Sequence, residues 1–300
     1  MRFNAMRLLS ILLCAGMSTQ FALAQNPKDE RRGSSSFDKS VDVGSGRKLH
    51  INCSGINIAG APTVVLEAGA GNPSTVWNRV QPEVAKFTRV CVYDRAGLGG
   101  SDPVPTPRTV VALTEDLRTL LVKAEVDGPY VMVGHSLGGI LVRLYASYYP
   151  ADVAGMVLVD STHEDEADRG LALIPRETFK EMLKKLGPAD LVPRSEEQID
   201  GCSTRAVMNT LDWRGNIPLV VLTPGRPFGP DIVAVPSVAS KAYQLHLALQ
   251  RDIVRRSSRG QQILAKKSGH FIHQDQPELV VAAIRQVVNQ VKSPPGGRSR

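Results

Sequence analysis

Three kinds of side chain in this sequence can do chemistry together: a serine set among glycines, six histidines, and two aspartates that follow apolar runs. The serine lies in Gly134-His135-Ser136-Leu137-Gly138, with Gly139 next. An apolar run from Tyr130 to Val133 enters this segment, and Leu141, Leu144, Tyr145 and Tyr148 leave it at helical spacing. A chain that passes from strand to helix in so few residues strains the serine backbone and presents its hydroxyl at the strand's C-terminal edge. The glycines remove side chains that would collide across the turn. The same placement puts the Leu137 N–H at a helix N-terminus, where it favours developing negative charge.

A serine hydroxyl attacks only when a base takes its proton, so an imidazole must reach it. The candidates are His50, His135, His163, His246, His270 and His273. His135 neighbours the serine but points away from it in such a turn, and reads as structural or substrate-facing. His270 follows the strand-like run Gln261 to Ala265 and sits after Gly269 in a loop before the last helix, with His273 as its near neighbour. An acid must then hold the imidazole tautomer. Asp160 stands at the tip of the apolar run Gly155 to Val159, and Asp231 is the first acid after the run Ile217 to Leu222. Both satisfy the order Ser, Asp, His.

The elements that must position these groups follow an alternating pattern. Strand-like runs at Lys48 to Cys53, Thr63 to Glu67 and Arg89 to Tyr93 precede a helical stretch with Leu113, Leu117, Leu120, Leu121 and Ala124 on one face. Continuous apolar strands alternating with helices predict a mostly parallel sheet covered on both faces. More than fifty residues separate the runs ending at Val159 and beginning at Ile217. That is too long for a plain connection. Phe179, Met182, Leu183 and Leu186 share a helical face there, and Ser195 with Gln198 forms a candidate capping box. Residues 161–215 thus read as a small helical cap, whose Leu171, Leu173, Ile174, Phe179 and Leu183 form either a packing face or an apolar substrate wall. A last helix is expected from about Gln276, capped by Asp275 with Glu278, its inner face being Leu279, Ala283, Ile284, Val287 and Val291.

With these motifs in order, the chain resembles the α/β-hydrolase superfamily from about Lys48 to Val291. Tyr93-Asp94-Arg95-Ala96-Gly97-Leu98-Gly99-Gly100-Ser101-Asp102 is similar to that family's D-x-x-G-x-G-x-S segment, and Ser268-Gly269-His270-Phe271 to its histidine loop. The resemblance implies an eight-stranded sheet with one antiparallel strand and a cap inserted after strand six. It implies His270 as the base. Most relatives carry the acid after strand seven; some place it after strand six, which favours Asp160 over Asp231. Where the family has His-Gly after strand three, this chain has Glu67-Ala68-Gly69-Ala70-Gly71, and aligning Trp77 with the family's tryptophan puts the second oxyanion donor on Ala70. Gly69 and His135 are then candidate substrate contacts, while Asp94 to Asp102 reads as scaffold that anchors neighbouring backbone. Cys53 and Cys91 fall on strands that the family sets side by side, as a disulfide or as two buried thiols.

The reading is a serine hydrolase that cleaves a carboxylic ester of a small or medium-sized, partly apolar substrate through an acyl-serine, with neither metal nor organic cofactor required. Serine in place of aspartate speaks against epoxide hydrolase or dehalogenase chemistry. Amide, peptide, lactone and carbon–carbon cleavage use the same groups, and a non-catalytic binding protein of the same fold is the reading from another class.

Composition sets the surroundings. Arg2 and Arg7, the apolar stretch Leu8 to Met17 and Ala22-Leu23-Ala24 read as a signal peptide over residues 1–24, so an exported, periplasmic or extracellular protein is expected. Loss of its two arginines lowers the formal charge from +7 to +5. The remaining arginine clusters carry no interleaved aromatics, so no nucleic-acid partner is expected, and no second apolar segment reaches membrane length. Residues 25–40 read as a flexible lead-in and 293–300 as a disordered tail, leaving 41–160 and 216–292 as the core. The partner expected is a small-molecule substrate, with oligomeric state left open.

Overall fold

The first two strands form a hairpin: β1 (Phe37–Gly44) and β2 (Arg47–Ser54) are joined through Ser45 and Gly46, whose φ angles are 55° and 75°. Two successive left-handed residues match the twist of paired strands. The computed structural model describes residues 36–58, 60–178, 180, 197–210, 213–227 and 238–292. The segments read as signal peptide and tail, the acid candidate Asp231 and the cap residues Phe179, Met182, Leu183, Leu186 and Ser195 lie outside the described residues.

The remaining strands are β3 (Thr63–Glu67), β4 (Val90–Tyr93), β5 (Tyr130–His135), β6 (Val153–Val159), β7 (Leu219–Pro224) and β8 (Gly260–Ala265). They form one sheet in the order β1-β2-β4-β3-β5-β6-β7-β8. Only β2 runs against its neighbours, being antiparallel to both β1 and β4, while β3 to β8 pair in parallel. The sheet is thus eight-stranded and mostly parallel, as expected. One expectation fails at its edge: the lead-in drawn over residues 25–40 ends earlier, because β1 already pairs Phe37 with Cys53. Within β1 only Val41 is buried, and an edge strand with one covered residue reads as polar loop in sequence.

Helices cover both faces. α1 (Gln81–Ala85) and the final helix lie on one side, with α2 (Val110–Lys123) and α3 (Leu137–Tyr148) on the other. β5 shows why its sequence does not alternate: Val131 and Val133 pack with Trp77, Ile284 and Val287, while Met132 between them packs with Leu117, Leu121 and Tyr145. Both faces are dry, so the stretch from Val131 to Gly134 is apolar or small throughout. Each fully buried aliphatic side chain contributes about 1.5–3 kcal/mol over an exposed one. Cys53 and Cys91 stand opposite each other in the β2–β4 register and are joined as a disulfide, their Cα atoms 4.1 Å apart.

After β6 the chain forms α4 (Glu166–Leu171) and later α5 (Gly201–Thr210) before returning as β7. Asp200 caps the start of α5, accepting from the N–H groups of Cys202 at 2.9 Å and Ser203 at 3.2 Å. Of the cap's apolar residues, Leu171 is exposed and Leu173 and Ile174 are half-buried. α6 (Ala239–Arg255) bridges β7 and β8, and the short α7 (Ile272–Asp275) leads into α8 (Pro277–Lys292). The expected cap of the last helix is also corrected. α8 begins with Pro277, and the Asp275 carboxylate turns back to Ser268 Oγ at 2.9 Å and the Gly269 N–H at 3.2 Å. It braces the histidine loop. No helix among the described residues is long and apolar enough to cross a membrane.

Candidate active site

Ser136 sits between β5 and α3 with φ 53° and ψ −119°, a conformation L-residues avoid at a cost of about 1–3 kcal/mol. The turn is locked on three sides: the Ser136 N–H donates to Val159 O at 3.2 Å, and its carbonyl accepts from Gly139 at 3.0 Å and Thr162 at 3.1 Å. The glycines are dictated by contact. A Cβ on Gly134 would strike the Gly138 carbonyl, and one on Gly138 would lie 2.5 Å from Glu67 O and 2.6 Å from Ala68 O. That second approach presses the N-terminus of α3, with its Leu137 amide, against the loop after β3.

The loop after β3 is held by Arg95. Its buried guanidinium donates to Ala68 O at 2.8 Å, Gly69 O at 2.6 Å and the Glu67 carboxylate at 2.6 Å. Because a trans peptide points its C=O and N–H in opposite directions, a Gly69 carbonyl drawn to Arg95 turns the Ala70 N–H the other way. Glu197 closes the network from the cap segment. It accepts from Arg95 Nε at 2.6 Å, Arg95 Nη2 at 2.7 Å and the Gly71 N–H at 2.7 Å. Burial pushes the Glu67 carboxyl up, against the opposing pull of Arg95 and of the Tyr93 hydroxyl bonded to it.

Asp160 follows β6 with φ 45°, its N–H bonded to Leu222 O at 2.9 Å. Its carboxylate is fully enclosed and grips two imidazoles. Oδ2 takes His270 Nδ1 at 2.6 Å, and Oδ1 takes His246 Nε2 at 2.6 Å. Burial raises the Asp160 carboxyl, but the hydrogen bonds from His246 and His270 outweigh it and hold the group below the usual carboxylate range. His246 in turn meets Glu166 Oε1 through Nδ1 at 2.7 Å.

Ser136, Asp160, His246 and His270 open onto one cavity of about 410 Å³, whose apolar wall includes Ala167, Ala242 and Leu245. A second hollow of about 340 Å³, around Trp213 and Pro150 at the opposite strand ends, contains none of these groups. Hydroxyl, imidazole, carboxylate and two nearby main-chain amides are the parts needed for acyl transfer. Among the described residues, no group of His, Cys, Asp and Glu is arranged to hold a metal ion.

Two expected substrate contacts belong elsewhere. His135 is buried, with its Nε2 3.0 Å from His270 O and its ring 4.6 Å from that of His270, and burial holds it well below the usual imidazole range. It backs the histidine loop. Gly69 is also buried, and a Cβ there would lie 2.8 Å from His135 Nδ1, so it serves close packing. His273, the neighbouring base candidate, is enclosed behind His135 at 4.4 Å between rings, and burial brings it down to about 4.

Residues 64–283 match the model of the alpha/beta hydrolase family. The chain belongs to this family. Among sequence relatives, the uncharacterized protein YqjL of Bacillus subtilis (strain 168) is 31% identical over 225 residues, 75% of this chain and 83% of that one. Among solved structures, a thermophilic esterase from Thermogutta terrifontis superposes with a TM-score of 0.61 at 21% identity, covering 86% of this chain and 99% of that one. A putative lipase from Acinetobacter baumannii AYE gives a TM-score of 0.58 at 19% identity, covering 86% and 92%. At such identities the likeness is one of fold.

Within this alpha/beta hydrolase, sequence reasoning missed His246, Glu166 and Glu197. For His246 a signal existed: Tyr243, His246, Leu249, Gln250 and Ile253 recur at helical spacing, and the last four are the buried stripe of α6. Glu197 had none, since it meets Arg95 across 102 residues of chain.

Proposed function

We propose that this hydrolase cleaves carboxylic esters of small or medium-sized, partly apolar substrates through an acyl-serine. The observation that carries the reading is the 2.6 Å Asp160–His270 pair opening onto the same cavity as Ser136 on its strained turn. Ser136 Oγ attacks the ester carbonyl while His270 Nε2 takes its proton. Asp160 keeps the Nδ1–H tautomer and stabilises the imidazolium. The amides of Ala70 and Leu137 hold the oxyanion, and its collapse expels the alcohol, which receives the proton from His270. Water, deprotonated by the same imidazole, then releases the acid and restores the serine.

The cavity of about 410 Å³ with Ala167, Gly170, Ala242 and Leu245 in its wall suits a short or medium acyl or alkyl group. A panel of p-nitrophenyl esters of graded chain length, beside amide and lactone analogues, tests this. Ester turnover should lead, peak at short to medium chains, and vanish in Ser136→Ala. Faster lactone or amide turnover would move the reading to that bond, and no turnover in any class by folded protein would favour a binding role. We further propose that residues 1–24 direct export, a reading that the Cys53–Cys91 disulfide supports. A mature N-terminus at Gln25 in exported protein is the expected result, and an intact Met1 there would contradict it.

A further inference from the structure

We propose that His246 is a positioning residue: held as an imidazolium between Asp160 and Glu166, it clamps the Asp160 carboxylate and lowers the pH at which His270 becomes free to act as base. The inference rests on the serine hydrolase reading above and adds a second histidine to its acid.

The geometry requires two protons on this ring. A neutral imidazole has one N–H and one bare nitrogen. Here Nε2 lies 2.6 Å from Asp160 Oδ1 and Nδ1 lies 2.7 Å from Glu166 Oε1, so a neutral ring would face one carboxylate with a lone pair. The imidazolium donates both ways. His246 and Asp160 are enclosed, with side chains 3% and 0% exposed, and such a setting magnifies both the clash and its relief. Burial alone would bring His246 down, yet the hydrogen bonds and charges of Asp160 and Glu166 raise it to about 10.

Two consequences reach His270. Anchoring Oδ1 stops the carboxylate from rotating and fixes Oδ2 in place, 2.6 Å from His270 Nδ1. The cation also offsets part of the negative field that would otherwise favour a proton on His270. The groups facing His246 include Asp160 from the end of β6 and Glu166 from α4, with His270 beyond Asp160. On α6 itself, Tyr243 feels the Asp160 charge. Farther along, Asp252 and Arg256 turn to His163 and Glu164. Glu166 restores some negative charge, but it is 29% exposed, so solvent weakens its reach to His270.

The test uses the mature chain. Imidazole ¹H–¹⁵N NMR of the wild type at pH 7 should show both His246 ring nitrogens protonated. In His246→Gln, the acid limb of kcat/KM for a p-nitrophenyl ester should move up by about one pH unit, as loss of a nearby charge predicts. The titration midpoint of the His270 ring should move with it, and kcat at the plateau should fall while KM changes little. Glu166→Gln keeps the Asp160 contact, so it serves if His246→Gln does not fold: the His246 midpoint should drop by about one pH unit or more. A single protonated nitrogen on His246 at pH 7, or superimposable acid limbs in wild type and folded His246→Gln, overturns the proposal. Failure of the wild type to hydrolyse any ester sinks the hydrolase reading alone, because the ring spectrum needs no substrate.

Discussion

On one side of Ser136 the loop after β3 is held by Arg95, a guanidinium that keeps its charge at every working pH. On the other side Asp160 is held by two imidazoles, His246 and His270. Arg95 and His246 are buried, His270 is half-buried, and all three meet carboxylates at about 2.6 Å, so the contacts are alike and the chemistry differs. In the proposed mechanism the Arg95 side presents amides in one fixed orientation, and a permanent cation gripping backbone carbonyls does that. On the Asp160 side the proposed base, His270, gains and loses a proton in each turnover.

Stability should reflect the Asp160 side of this contrast. The folded-state value of His246, about 10, lies above its unfolded value, so its contribution is complete below about pH 6.5 and is lost as pH rises through about 10.

The largest effect that would sharpen the comparison is expected at Asp160. Asp160→Asn should keep the fold but favour the wrong His270 tautomer, lowering kcat by about 10⁴-fold near neutral pH. A loss under tenfold in a steady-state assay would mean that the acid lies elsewhere. Smaller, and on the other side, is Glu197→Gln. The amide keeps one acceptor for Arg95 or Gly71 but cannot serve all three donors, so kcat should fall about tenfold, less than the roughly 10²–10³-fold loss when an oxyanion donor is removed outright. The pH profile should keep its shape. A displaced acid limb in Glu197→Gln would break the division of labour between the two sides.

How much of this was legible in the sequence follows from distance along the chain. The Ser136 turn is local: strand, glycines and helix sit within twenty residues, and backbone sterics dictate their order. Asp160 and His270 could be picked out because each ends or follows an apolar run, and the two side chains meet at 2.6 Å. The sheet was readable for the same reason, except β1, whose polar residues pair along an edge. What stayed hidden depends on tertiary approach. His246 reaches Asp160 across 86 residues, and Glu197 enters a network whose other members lie a hundred residues earlier. His135 and Gly69 were drawn to the substrate because they flank the chemistry in sequence, whereas packing turns them against each other. Asp275 precedes a helix, yet the Ser268–Gly269 bend lies within reach of its carboxylate.

The central claim, that Ser136 is a hydroxyl made nucleophilic by its surroundings, is tested most directly by trapping it. Folded wild-type protein treated with a fluorophosphonate should gain one adduct that peptide mass spectrometry places on Ser136, and Ser136→Ala should gain none. An adduct on another residue, or none on folded wild type, would contradict the account.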